Sequence, residues 1–316
     1  ANAITVLTAT GGAGPIAWAG INLPNAQEIR EKYGSKSFLL TNIIEAGEAV
    51  RGTLAAEEFL STAKERQVVK KYAGPASLAF VAMHEVLGHA SGKVSPQLQG
   101  DPSLYLREYY STIEEARADL VALWNIADPL CLKKGIIPDR RSVEALYRAY
   151  AMRALVQLAQ VEKGHRLEED HSRGRQMIVK YVAEKNGAIR FIKKNGKHYY
   201  RVADIHKMRQ GLGELLAQLM RIKATGDYAA AKKLVETYGI SFDPRLREEV
   251  VARARGIHYP NFVANVTPIL RPRFNAGGEI VAIDLEYPLS LAKEMLDFRH
   301  QNQPEPKTSI PRVSAD

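Results

Sequence analysis

His84-Glu85-Val86-Leu87-Gly88-His89 places two imidazoles and a carboxylate within six residues, directly after the apolar run Leu78-Ala79-Phe80-Val81-Ala82-Met83. Two histidines four apart leave one face of a helix together, the usual arrangement for a helical metal pair. Here they are five apart, which is roughly 140° around a regular α-helix. Either the pair is not a metal pair, or the helix takes in one extra residue and the rings converge again. A π-type turn does this, and such turns are frequent at functional sites. Gly88 lies inside the stretch, where the missing Cβ lets the backbone leave regular geometry. Glu85 stands beside the first histidine, where a general base would be needed, and this favours the metal reading.

A metal needs a third ligand, and the next apolar helix offers one. The stretch predicted helical over 104–126 contains Glu114-Glu115-Ala116-Arg117-Ala118-Asp119-Leu120. Glu115 and Asp119 are four apart and share a face, with Glu114 to one side. Like charges among buried-type residues destabilise a helix unless a cation lies beside them. Arg117 is one candidate, and a metal with its histidines is another. The alternative is a solvated acidic face. A catalytic zinc commonly takes three protein ligands. The best set is His84, His89 and one carboxylate of this helix; Glu115 follows His89 by 26 residues, enough for a loop and a second, crossing helix. Glu114 and Asp119 are placed to accept the remaining ring N–H bonds. Spacing alone does not say which acid serves which histidine.

The whole chain bounds this reading. Its 316 residues are 46% hydrophobic and 25% charged, the profile of a globular protein large enough for a substantial core. No apolar run approaches the roughly 18 residues of a membrane span. The start, Ala1-Asn2-Ala3-Ile4, has neither an initiator Met nor a basic leader and reads as processed or excised. One cysteine, Cys131, allows no internal disulfide and fits a reducing, cytoplasmic setting; it reads as a buried structural thiol. The net charge of +9 permits nucleic-acid binding, but the bases are dispersed, so that reading rests on charge alone.

Along the chain, residues 1–36 are rich in small residues, and Gly11-Gly12-Ala13-Gly14-Pro15 is a loop lacking the lysine of a phosphate-binding loop. Residues 37–43 read as a short strand and 55–72 as a charged helix. Gly74-Pro75 punctuates the chain, with Pro75 suited to the first turn of the histidine helix over 76–90. Helices are predicted over 139–160, with Asp139 as its cap, 167–184, 204–223, 227–238, 243–254 and 288–299. Hairpins are predicted for 188–193 with 197–202, turning at Asn195-Gly196, and for 267–273 with 279–284. The class is mainly α with two small β-hairpins and no βαβ series. The division is 1–36, 37–300 and a tail at 301–316.

His84-Glu85-Val86-Leu87-Gly88-His89 together with Glu114-Glu115-Ala116-Arg117-Ala118-Asp119 resembles the paired signature of the dipeptidyl-peptidase III family of zinc metallopeptidases, in which the histidines are likewise five apart. The resemblance extends over much of the chain. Gly20-Ile21-Asn22-Leu23-Pro24-Asn25 resembles the family's inter-lobe, substrate-holding segment, and Asp170-His171 with Arg175 resembles a helix carrying an additional active-site histidine. Ile269-Leu270-Arg271-Pro272-Arg273 resembles a late basic segment. The resemblance implies a helical zinc-peptidase catalytic lobe binding one Zn2+ through His84, His89 and Glu115, with Glu85 as base and Glu114 and Asp119 behind the ligands. It further implies that His171 stabilises the tetrahedral intermediate, that Asn22 and Asn25 position a short peptide, and that Arg175 and Arg271 meet its carbonyls or carboxylate. Family members are usually much longer, with a preceding lobe that recognises the substrate's amino group. That lobe is expected to be missing here, which leaves peptide hydrolysis a firmer expectation than release of N-terminal dipeptides. The rival is a zinc-containing remnant or binding module that relies on a partner domain.

Overall fold

The computed structural model describes residues 2–7, 19–24, 26–48, 52–257 and 269–286. The chain is mainly helical, as its periodicity requires. It begins with β1 (Asn2–Ile4), β2 (Gly20–Leu23), α1 (Gln27–Tyr33), β3 (Lys36–Leu40), α2 (Thr41–Gly47) and α3 (Thr53–Phe59). The long α4 (Ala63–Met83) comes after them and runs directly into a π-turn at His84–Gly88. Next come α5 (Pro102–Leu106), α6 (Tyr110–Asn125), α7 (Pro129–Lys133), α8 (Arg141–Val156) and α9 (Asp170–Tyr181). A hairpin of β4 (Ile189–Lys194) and β5 (Lys197–Val202) precedes α10 (Ile205–Thr225), α11 (Tyr228–Leu234) and α12 (Pro244–Arg255). The last described pair is β6 (Ile269–Phe274) with β7 (Ile280–Glu286).

Helix α6 is the axis of the core. Ile113, Ala116, Ala118, Leu120, Ala122 and Leu123 are all fully buried, and a helix apolar on nearly every side belongs to the interior. The π-turn, α4, α9 and α10 pack around it. A second cluster joins α3, α4 and α8 through Phe59, Val69, Tyr72 and Leu155. Arg117 is fully buried within this apolar surround, so its charge needs a partner.

Helix α4 corrects one expectation. Pro75 lies inside it, not in its first turn. The start is set upstream, where Thr62 Oγ1 accepts from Glu65 N at 3.2 Å and its hydroxyl donates to Glu65 Oε2 at 3.0 Å. That reciprocal cap fixes Ala63 as the first residue. The missing N–H of Pro75 removes one intrahelical bond, while buried Ala73, Ala76 and Ala79 keep α4 packed along α8. Likewise the predicted helix 104–126 is interrupted: Arg107 takes φ 49°, in the left-handed region, and separates α5 from α6.

Both hairpins form. Asn195 (φ 49°) and Gly196 (φ 79°) turn β4 into β5, with the positive φ values that a two-residue hairpin turn demands. Of the three-stranded sheet, the sequence announces only one strand near 37–43. Its order is β1-β3-β2, with β1 parallel and β2 antiparallel to β3. It draws strands from both sides of residue 36, pairing Asn22 with Ser37. Strands of three to five residues carry too little alternation to be read from pattern. Cys131 is buried, and its thiol donates to Asn125 O at 3.3 Å, the structural role expected of it. The glycine-rich loop at 11–15 and the helix predicted over 288–299 lie outside the described residues. No described helix is long and apolar enough to cross a membrane.

Candidate metal centre

The widened turn resolves the five-residue spacing. His89 N donates to His84 O at 3.0 Å, a bond spanning five residues, and the extra residue brings the rings together with their Nε2 atoms 3.1 Å apart. Gly88 serves this turn for a different reason from the one expected. Its φ is not in the left-handed region. A Cβ there would lie 2.8 Å from both Cα and Cβ of Ala118, so glycine is needed for close approach of the turn to α6.

That approach delivers the acids. Glu115 Oε2 lies 3.3 Å from His84 Nε2 and 3.5 Å from His89 Nε2. Asp119 Oδ1 accepts from His84 Nδ1 at 2.8 Å, and Glu114 Oε1 lies 3.3 Å from His89 Nδ1. The pairing that spacing left open is therefore Asp119 with His84 and Glu114 with His89. Each back-side bond favours a proton on Nδ1 and turns Nε2 toward Glu115, so that a bound zinc would take the Nε2 lone pairs. Metal–nitrogen bonds of about 2.0–2.1 Å imply tetrahedral edges of about 3.3 Å, and the three edges here are 3.1, 3.3 and 3.5 Å. Glu115 Oε2 is moreover buried without a hydrogen-bond donor in proper geometry. Two imidazoles and a carboxylate are a zinc donor set, and the residues fit that ion.

Behind the ligands stands a paired charge network. Arg117 donates to Glu114 Oε1 at 2.7 Å and Oε2 at 3.0 Å, so it offsets Glu114 and not the Glu115–Asp119 pair for which it was a candidate partner. Lys223 Nζ, almost fully buried on α10, lies 3.0 Å from Glu114 Oε2. Arg30 Nη1 approaches Glu114 at 3.7 Å. Tyr150 on α8 donates to Asp119 Oδ2 at 2.7 Å. The sequence assigned no role at the site to Lys223, Arg30 or Tyr150. Nothing in their local patterns separates them from ordinary helix residues; they reach the site only because α1, α8 and α10 pack there.

Protonation follows from this geometry. Burial opposes charge on His84, but the Asp119 hydrogen bond and the adjacent Glu115 carboxylate outweigh it and raise its pKa to about 10. Burial is likewise overcome at His89, whose pKa is raised by Glu114 and Glu115. The same contacts hold Glu115 and Asp119 below the usual carboxylate range despite burial. Without metal the histidines therefore retain protons that zinc must displace. Zinc affinity is expected to rise about tenfold per pH unit, or more, between pH 6 and 9 as those protons become easier to remove. Chelator competition across that range measures this; a flat profile would contradict it.

The remaining expected residues are distributed unevenly. Glu85 follows His84 in the turn, and its side chain packs against Gly20, where a Cβ would lie 2.9 Å from Glu85 Cγ. His171 on α9 is half exposed, with Nδ1 3.4 Å from Glu115 Oε2. Asn22 is buried against the turn, its Nδ2 donating to Glu85 O at 3.1 Å. Arg175 donates to Gln157 Oε1 at 2.7 Å and lies over the Tyr150 ring. Arg271 pairs with Glu286 across the exposed β6–β7 hairpin. Asn25 lies outside the described residues.

Comparison with known proteins gives the same picture. The model of a family described as Peptidase family M49 matches residues 2–102 and 99–256. Dipeptidyl peptidase 3 of Nematostella vectensis is 25% identical over 266 residues, which cover 70% of this chain and 35% of that protein. The structure of dipeptidyl-peptidase III from Caldithrix abyssi superposes with a TM-score of 0.61 at 28% identity, covering 76% of this chain and 43% of that one. The fold is also shared with dipeptidyl-peptidase III from Corallococcus sp. strain EGB, with a TM-score of 0.63 at 24% identity over 81% of this chain and 44% of that one. The chain thus spans less than half the length of these relatives.

Proposed function

The chain belongs to peptidase family M49, and on that premise we propose that it is a zinc-dependent peptidase lobe hydrolysing short peptides, releasing N-terminal dipeptides when the rest of the cleft is present. The observation that carries the reading is the convergence of one ligand atom each from His84, His89 and Glu115 within 4.8 Å. A single zinc held there supplies Lewis acidity, which acidifies water and polarises the scissile carbonyl.

The chain's own residues do the rest. Glu85 takes the proton of the attacking water and hands it to the departing amine. His171, on the open side of Glu115, donates to the oxygen that gains charge. Asp119 and Glu114 hold the histidine rings in one tautomer and orientation, with Tyr150, Arg117 and Lys223 holding the acids in turn. Asn25 would position the peptide backbone, as would Asn22 through its unpartnered Oδ1, its Nδ2 being held by Glu85 O and Ser37. Arg175 and Arg271 would meet a peptide carbonyl or carboxylate only by exchanging their present partners, Gln157 and Glu286. Residues 1–36 belong in this reading to the substrate-contacting segment, 37–300 to the catalytic domain and 301–316 to a tail, in a cytoplasmic setting.

A second reading is favoured by the coverage of only 35% of the Nematostella protein: this lobe binds zinc, but turnover needs residues supplied from beyond it. Metal analysis with assays on dipeptidyl-arylamides and short peptides decides between them. The expected result is about one zinc per chain and hydrolysis abolished by a chelator. Stoichiometric zinc without hydrolysis would select the second reading, and protein that takes up no zinc would remove both.

A further inference from the structure

We infer that the β2–α1 segment holds the π-turn in its widened form, which makes Asn22 and Arg30 positioning residues for the two histidines; the inference rests on the zinc reading above. A helix end leaves C=O groups without intrahelical donors, and buried carbonyls need partners from elsewhere. Three carbonyls of this turn and its end take side chains. Glu85 O accepts from Asn22 Nδ2 at 3.1 Å. Gly88 O accepts from Arg117 Nη2 at 2.8 Å and Ser91 Oγ at 3.0 Å. His89 O accepts from Arg30 Nη1 at 3.0 Å.

Two of these donors come from one short segment, and each is itself anchored there. Asn22 Nδ2 also reaches Ser37 Oγ at 2.6 Å and Ser35 Oγ at 3.1 Å, which ties it to the β2–β3 ladder. Arg30 Nε donates to Pro24 O at 2.8 Å, bridging the end of β2 to α1. The segment therefore grips the turn near its beginning and at its end. Gly20 adds a third contact by leaving room for the Glu85 side chain. Were the turn to relax to regular α geometry, removing the extra residue would rotate the chain beyond it by about 100°. The carbonyl of His89 would leave Arg30, and its ring would swing away from His84. The donors of Asn22 and Arg30 thus favour the one backbone form in which both Nε2 atoms face Glu115.

Asn22→Asp keeps the shape and loses the N–H donors; Arg30→Met keeps the stem and loses the guanidinium. Each is expected to weaken zinc binding, measured by chelator competition, about 10- to 100-fold, and to alter the visible spectrum of the cobalt-substituted protein. Arg30→Lys, which retains a donor, is expected to recover most of the affinity. The two variants act at separate carbonyls, so if one fails to fold the other still decides. Unchanged zinc affinity and cobalt spectrum in the folded variants overturns the inference. Failure of the unaltered protein to bind zinc overturns the reading beneath it instead.

Discussion

Glu85→Gln is expected to leave zinc uptake intact and to lower kcat/KM on a short peptide by about a hundred- to ten-thousand-fold. Glutamine has nearly the same volume and keeps the close fit against Gly20, so the turn has no steric reason to move. What it lacks is a carboxylate able to take a proton from water. His84→Ala is the contrasting variant, because it removes a ligand and the donor side of the Asp119 bond together; it is expected to lose zinc and activity at once. Metal content and steady-state kinetics, measured side by side, separate the two behaviours. Should Glu85→Gln retain activity within tenfold of the parent, the proton acceptor lies elsewhere.

Gly88→Ala is expected to cost about 1–3 kcal/mol of stability and to weaken zinc binding about a hundredfold. The added Cβ would meet Ala118 Cα and Cβ at 2.8 Å and Ala118 O at 3.1 Å. No flexible side chain is available to swing away. Nor is α6 free to retreat, because Gly174 of α9 abuts it at Ala116, where an added Cβ would lie 3.2–3.3 Å away. The turn has to lift from α6, carrying His84 and His89 away from Glu115. Gly74→Ala in α4 is the control for zinc binding, since beyond its chain neighbours and its own helix nothing lies within 4 Å of its added methyl; the following Pro75 disfavours α geometry for a residue with a Cβ, so stability is expected to fall somewhat while zinc affinity stays parental. Denaturant midpoints and chelator competition give both numbers. Parental zinc affinity in Gly88→Ala would show that the close approach does not set the centre.

Much of the site was legible because it is local. Two histidines five apart around a carboxylate and a glycine demand a π-turn if they are to converge, and the turn spans His84–Gly88. An acid pair four apart on an apolar helix likewise demanded internal compensation; the histidine rings face Glu115 and Asp119, while Arg117 pairs with the neighbouring Glu114 instead. The two hairpins were readable from Asn195-Gly196 and from the strands flanking Asn275–Gly278. Pro75 misled because proline punctuation is a local rule, and tertiary packing along α8 outweighed the single lost hydrogen bond.

By itself, then, the amino-acid sequence determined the helical class, the histidine pair with its neighbouring acids, and the need for a widened turn, since each arises from spacing along one element. Only the tertiary structure decided that Asp119 serves His84 and Glu114 serves His89, that Tyr150 and Lys223 stand behind those acids, and that Asn22 and Arg30 clasp the turn. Those contacts join residues 25 to 109 positions apart, and their geometry depends on how closely helices cross. The crossing is set by what fits between backbones, at Gly88 against Ala118 and at Gly174 against Ala116, a property of two surfaces together that no single stretch of chain contains.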